Sequence, residues 1–81
     1  MTLDDLKKHN IVEIRDFVAN TDQLISLYEK GELTLEQCKS LVEDEKRLVL
    51  ISEAMQDLNN KAVFQHVLTV LSAIYSNIPL V

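Results

Sequence analysis

The last twenty residues of this 81-residue chain carry no charged side chain. Every Asp, Glu, Lys and Arg lies at or before Lys61, whereas residues 62–81 read AVFQHVLTVLSAIYSNIPLV. On a helix, the polar residues of this segment form one narrow stripe, because they follow steps of four, three and four: Gln65, Thr69, Ser72 and Ser76. A helix that is apolar on most sides must be covered on most sides, so this segment constrains the fold most strongly.

The rest of the chain has the periodicity of helices and not of strands. Apolar residues recur at three- and four-residue steps from Ile11 to Tyr28 and from Leu35 to Leu58, and one Gly and one Pro leave little material for a turn-rich β fold. The sequence predicts an all-α fold, a compact bundle of three main helices at about 11–30, 35–58 and 61–76, within a single domain over 1–81. We expect a short N-terminal helix in front of them and an oligomeric assembly.

Capping residues set the predicted helix ends. Thr2 precedes the acidic pair Asp4-Asp5, and Thr34 and Asn10 each precede a Gln or Glu by three residues, which is the spacing of a capping box. Gly31 is a natural C-terminal residue for the first main helix, because glycine adopts positive φ without a Cβ clash. Asn59-Asn60 predicts the next break, and Asn77 and Pro79 predict the end of the last helix.

The charge balance argues against nucleic-acid binding. The chain has 8 basic and 13 acidic residues, for a formal net charge of −5. A protein that binds through phosphate neutralisation needs a basic face, and the only basic pairs are Lys7-Lys8 and Lys46-Arg47. We therefore expect no nucleic-acid partner.

Cysteine content and the first residues indicate a cytoplasmic protein. Cys38 is the single cysteine, so no intrachain disulfide can form. Residues 1–20 are charged throughout and lack the apolar stretch of a signal peptide.

No residue pattern predicts an enzyme, a cofactor site or a metal site. Cys38 lies on the apolar stripe of its helix, where a free thiol behaves as a small hydrophobe. The sequence has no HxxxH, HxxE or CxxC spacing, and one glycine cannot make a phosphate-binding loop. We expect His9 at a helix end, and His66 either half-buried with one hydrogen bond or acting as a pH-sensitive contact.

Three explanations for the uncharged last helix remain open. It is the central helix of a monomer, it pairs with a second copy or another protein, or it contacts a membrane. Pairing is the favoured interpretation, because membrane contact lacks flanking basic residues and Trp. The predicted contact surface consists of Val63, Phe64, Val67, Leu71, Ile74 and Tyr75. Tyr28 and Tyr75 are either interface anchors or caps at the ends of the core.

These observations predict a small helical protein-protein interaction module. It would act as an inhibitor, antagonist or assembly regulator by occupying an apolar groove or helix of a partner, with its acidic face directed toward a basic one. The alternative is a membrane-associated regulator, for example of lysis, that uses residues 62–81. In size and style the chain looks like virus- or phage-encoded accessory proteins, a likeness that no motif carries.

Overall fold

The computed structural model describes residues 2–76 together with Ile78 and Leu80. These residues form four α-helices, one 3₁₀ helix and no strand. In chain order the elements are α1 (Leu3–Lys7), α2 (Val12–Glu29), α3 (Leu35–Leu50), the 3₁₀ helix (Glu53–Gln56) and α4 (Leu58–Ile74). The predicted all-α bundle of three main helices with a short helix in front is therefore confirmed.

Capping boxes start two of the helices. At the start of α3, the Thr34 hydroxyl accepts the Gln37 N–H at 3.1 Å, and the Gln37 side chain accepts the Thr34 N–H at 2.9 Å. Thr2 and Asp5 make the same reciprocal pair at the start of α1, at 3.2 and 3.1 Å. Gly31 has a φ of 80° just after α2, as predicted for a residue that ends a helix.

The predicted cap at Asn10 is wrong. Ile11 is the N-cap residue of α2, and its side chain makes no cap hydrogen bond. Its N–H instead donates to Nδ1 of His9 at 3.0 Å. His9 does lie between two helices, but its ring binds a backbone N–H at the start of α2 and not the last carbonyls of α1.

The second main helix is shorter than predicted, and the third begins earlier. α3 ends at Leu50, because Ser52 has extended backbone (ψ 155°) and donates its hydroxyl to the Val49 carbonyl at 2.6 Å. The Asp57 side chain then accepts the Asn59 N–H at 2.8 Å, so α4 begins at Leu58 and not at residue 61. The predicted break at Asn59-Asn60 therefore lies inside α4. Its predicted terminators Asn77 and Pro79 lie outside the described residues.

The core lies where α2 meets the other helices. α2 and α3 run antiparallel, because Leu24 contacts Cys38 while Asn20 contacts Glu45. The rings of Phe17 in α2 and Phe64 in α4 meet edge to face, with centroids 5.2 Å apart. The buried apolar side chains are Leu6, Ile14, Phe17, Val18, Ile25, Cys38, Val42, Val49, Met55, Phe64, Val67, Leu68, Leu71, Ile78 and Leu80.

Helix α4, which carries no charge after Lys61, has one buried face and one exposed face. Its buried side chains are Phe64, Val67, Leu68 and Leu71. Its exposed residues are a mixture of small, polar and aliphatic side chains, namely Leu58, Asn59, Lys61, Ala62, Val63, Gln65, His66, Thr69, Ala73 and Ile74. The chain itself therefore covers one apolar face of this helix and leaves Leu58, Val63 and Ile74 exposed.

Candidate interaction surface

The six residues predicted to form a contact surface do not lie together on the outside of the molecule. Phe64, Val67 and Leu71 have no exposed area and belong to the core of the single chain. Val63 and Ile74 are 36% and 42% exposed, and Tyr75 is half-buried. A partner that binds this fold can therefore reach three of the six predicted residues, and the other three contribute to folding instead.

Tyr75 connects the end of α4 to α2. Its hydroxyl donates to Oδ1 of Asp22 at 2.5 Å, and Oδ2 of Asp22 accepts a hydrogen bond from Lys7 at 2.8 Å. Burial alone would raise the pKa of the Asp22 carboxyl, but the hydrogen bonds from Lys7 and Tyr75 outweigh it and hold that pKa below its usual value. Burial, the hydrogen bond to Asp22 and nearby negative charge raise the pKa of Tyr75. This tyrosine therefore has a structural role.

The cleft beside Tyr75 is too small for most ligands. Tyr28, Ile74 and Tyr75 line it together with part of α2, and its volume is about 160 Å³. Pockets that bind small molecules usually hold roughly 300 to 1,000 Å³. Tyr28 is half-buried and packs against the core here, so both tyrosines lie at one end of the bundle.

Large apolar side chains are instead exposed around the connection between α3 and α4. Leu48, Ile51 and Leu58 are 60%, 77% and 78% exposed. These three residues are named the α3–α4 apolar surface below. Leu48 lies in the last turn of α3 and Ile51 is the C-cap residue of this helix, so the two occupy neighbouring positions three residues apart.

The three- and four-residue steps from Leu35 to Leu58 predict Leu48, Ile51 and Leu58 on the same apolar stripe as Cys38. Helical geometry explains why Leu48 and Ile51 lie elsewhere. At about 100° per residue, the buried residues Cys38, Val42 and Val49 fall within about 40° of one another. Leu48 then lies about 100° from the centre of that buried face and Ile51 about 160° from it. The exposure of both residues could be predicted by calculating the angle of each apolar residue around the helix axis.

A shallow groove lies beside Leu48, between α2 and α3. Phe17 and Val49 contribute apolar surface to it, and its volume is about 160 Å³. The amide of Asn20 donates to Oε2 of Glu45 across the two helices at 3.2 Å, which places this carboxylate at the groove. The groove therefore combines apolar side chains with a positioned acidic group.

Cys38 and His66 are the side chains considered for chemistry, and their surroundings differ. Cys38 is fully buried, and its thiol lies 3.7 Å from the Leu24 carbonyl. Burial raises the pKa of the Cys38 thiol, whereas a nucleophilic cysteine needs a lowered pKa. His66 is exposed on α4, so the expectation that it is half-buried is wrong. Within 2–76, 78 and 80, no three His, Cys, Asp or Glu side chains lie close enough together to hold a metal ion.

Comparisons with protein-family models, with curated proteins and with solved structures find no match to this chain. Among the described residues, no helix combines the length and the apolar character that crossing a membrane requires.

Proposed function

We propose that this chain is a cytoplasmic protein-protein interaction module that acts through the α3–α4 apolar surface. The observation that carries the proposal is the exposure of Leu48, Ile51 and Leu58 within ten residues of one another along the chain. Burial of one such side chain stabilises a complex by about 1.5 to 3 kcal/mol, and a few apolar anchors supply most of the binding energy in typical interfaces.

The partner is a second copy of this chain or another protein. In either case, the module blocks or organises its partner by covering an apolar patch, which is the action of an inhibitor, antagonist or assembly regulator. The net charge of −5 favours a partner with a basic surface and repels anionic ones.

The test is a triple variant in which Leu48, Ile51 and Leu58 are each replaced by Gln. Because these side chains are mostly exposed, we expect the variant to keep the circular dichroism spectrum and Tm of the wild type. Light scattering across a concentration series measures self-association, and affinity capture compares the proteins retained by each form. We expect the wild type to self-associate or to retain a protein, and the variant to lose that association.

A matched control replaces three other exposed aliphatic residues with Gln: Val12, Val63 and Ile74. Two of these belong to the surface predicted on the last helix, so the control also tests that prediction. The proposal fails if the wild type stays monomeric and retains nothing, or if the two triple variants lose association equally. It also fails if the wild type floats with liposomes through residues 62–81, as the membrane-associated alternative predicts.

A further inference from the structure

The groove between α2 and α3 has an apolar floor and an acidic rim. Phe17, Leu48 and Val49 form the floor. Three acidic residues also line the groove, and they are named the rim below: Glu13 and Asp16 of α2 and Glu45 of α3. In the part of the chain that the structure describes, no Lys or Arg lines this groove.

Basic residues on the two helices do little to neutralise this rim. Glu13 and Glu45 form no ion pair with the described residues, and Arg15 approaches Asp16 only to 3.9 Å between exposed side chains. Such exposed pairs are weak. Arg15 follows Glu13 by two residues, which places it about 200° away around α2. The groove therefore presents negative charge to any molecule that enters it.

The shape of the groove fits a side chain of a protein partner better than a free ligand. Its volume of about 160 Å³ is small, and it is open along the line where two antiparallel helices meet. An amphipathic helix that lies along such a groove inserts apolar residues at three- and four-residue steps. Leu48 belongs both to the groove and to the α3–α4 apolar surface, so an occupant of the groove also covers part of that surface.

From the charge complementarity, we propose that the groove binds a basic amphipathic helix of a partner protein. Apolar side chains of that helix would contact Phe17, Leu48 and Val49, while its Lys or Arg residues would pair with the three carboxylates of the rim. This inference rests on the proposed function and specifies the kind of partner that the module accepts.

Two synthetic peptides serve as probes. One is an amphipathic helix of Leu and Lys, with Leu at three- and four-residue steps, and the other replaces every Lys with Glu. Fluorescence anisotropy measures binding to the full chain at low and high salt. We expect the Leu–Lys peptide to bind, with an affinity that falls as salt rises, and the Leu–Glu peptide not to bind.

Neutral variants locate the binding site. The rim variant carries Glu13→Gln, Asp16→Asn and Glu45→Gln, and we expect it to bind the Leu–Lys peptide about tenfold more weakly than the wild type. The control variant carries Glu32→Gln, Glu36→Gln and Glu53→Gln, which change the net charge equally at exposed positions outside the groove. We expect its affinity to stay within about twofold of the wild type.

Three results would overturn the inference: no binding of the Leu–Lys peptide, equal binding of both peptides, or equal weakening by the rim and control variants. Equal weakening would show a general attraction of the peptide to an acidic protein.

A comparison of the two variants separates this inference from the proposed function. If the α3–α4 surface variant loses the natural association while the rim variant keeps it, the proposed function stands and the basic-helix inference is wrong.

Discussion

Thr21 is a buried polar residue in the middle of α2, with no exposed area. Its hydroxyl has no hydrogen-bond partner among the described residues. Thr69, by contrast, lies on the exposed side of α4 and donates its hydroxyl to the Gln65 carbonyl at 3.1 Å. A buried polar group without a partner costs about 1 to 3 kcal/mol, so Thr21 lowers the stability of the core.

Replacement of Thr21 by Val should raise the free energy of unfolding by about 1 kcal/mol, because it removes the unpaired hydroxyl and keeps the β-branched shape. Urea unfolding followed by circular dichroism measures the change. Thr21→Ser is the control, since it keeps the hydroxyl, loses a methyl group and should be less stable than the wild type. A less stable Thr21→Val variant would show that the hydroxyl has a partner, such as a buried water.

The hydrogen bond from Tyr75 to Asp22 makes stability depend on pH. Asp22 has a lowered pKa in the folded chain, so its contribution is present above the pKa of the unfolded carboxyl and is lost as pH falls through the folded value. Tyr75 has a raised pKa, so its contribution is present below about 10, the usual tyrosine value, and is lost as pH rises through the folded value.

Tyr75→Phe should therefore lower the free energy of unfolding by about 1 kcal/mol at pH 7, with a smaller difference at strongly acidic pH. Unfolding by urea at a series of pH values measures this difference. Tyr28→Phe is the matched control, because the Tyr28 hydroxyl makes no hydrogen bond with the described residues. Equal effects of the two variants at every pH would contradict the structural role assigned to Tyr75.

At the scale of single elements, a charge introduced into α4 tests whether Leu71 belongs to the core or to an interface. Leu71 is fully buried, so Leu71→Asp should cost several kcal/mol and unfold the chain, because it buries a charge without a partner. Thr69→Asp places the same charge on the exposed face of the same helix and should leave the helical circular dichroism signal unchanged. If the Leu71→Asp variant stays folded and loses only self-association, Leu71 belongs to a contact surface and not to the core.

Local chemistry explains which helix ends were predictable. Thr34 and Gln37 cap α3 with their own side chains, and their spacing predicted this start correctly, whereas the same spacing at Asn10 and Glu13 did not mark a cap. The end of α3 at Leu50 has no comparable signal, because neither Gly nor Pro follows it. In a continuous helix Met55 would point about 120° away from Val49, and the break at Ser52 instead brings Met55 into the core. The local conformation of Ser52 and the burial of Met55 in the core therefore end this helix together.

At the scale of the whole molecule, the sequence predicted the bundle correctly, but three of the six residues assigned to the contact surface belong to the core: Phe64, Val67 and Leu71. Residues 62–74 of α4 carry no charge and so show little contrast between the faces of the helix. Periodicity therefore could not tell that Phe64 and Leu71 are buried while Ala62 and Ala73 are exposed. The Cα radius of gyration is 12.2 Å, close to the roughly 12 Å expected for a compact chain of this length. The exposure of Leu48 and Ile51 is thus a property of a well-packed fold.

The carboxylate of Asp22 has a consequence for how the chain withstands proteolysis. It binds Lys7 at the end of α1 and Tyr75 at the end of α4, so residues near both termini are held at one point on α2. Fraying of either end exposes Asp22 to water and weakens its attraction for the other end. An exopeptidase that trims one terminus past its anchor would therefore also make the opposite terminus easier to digest.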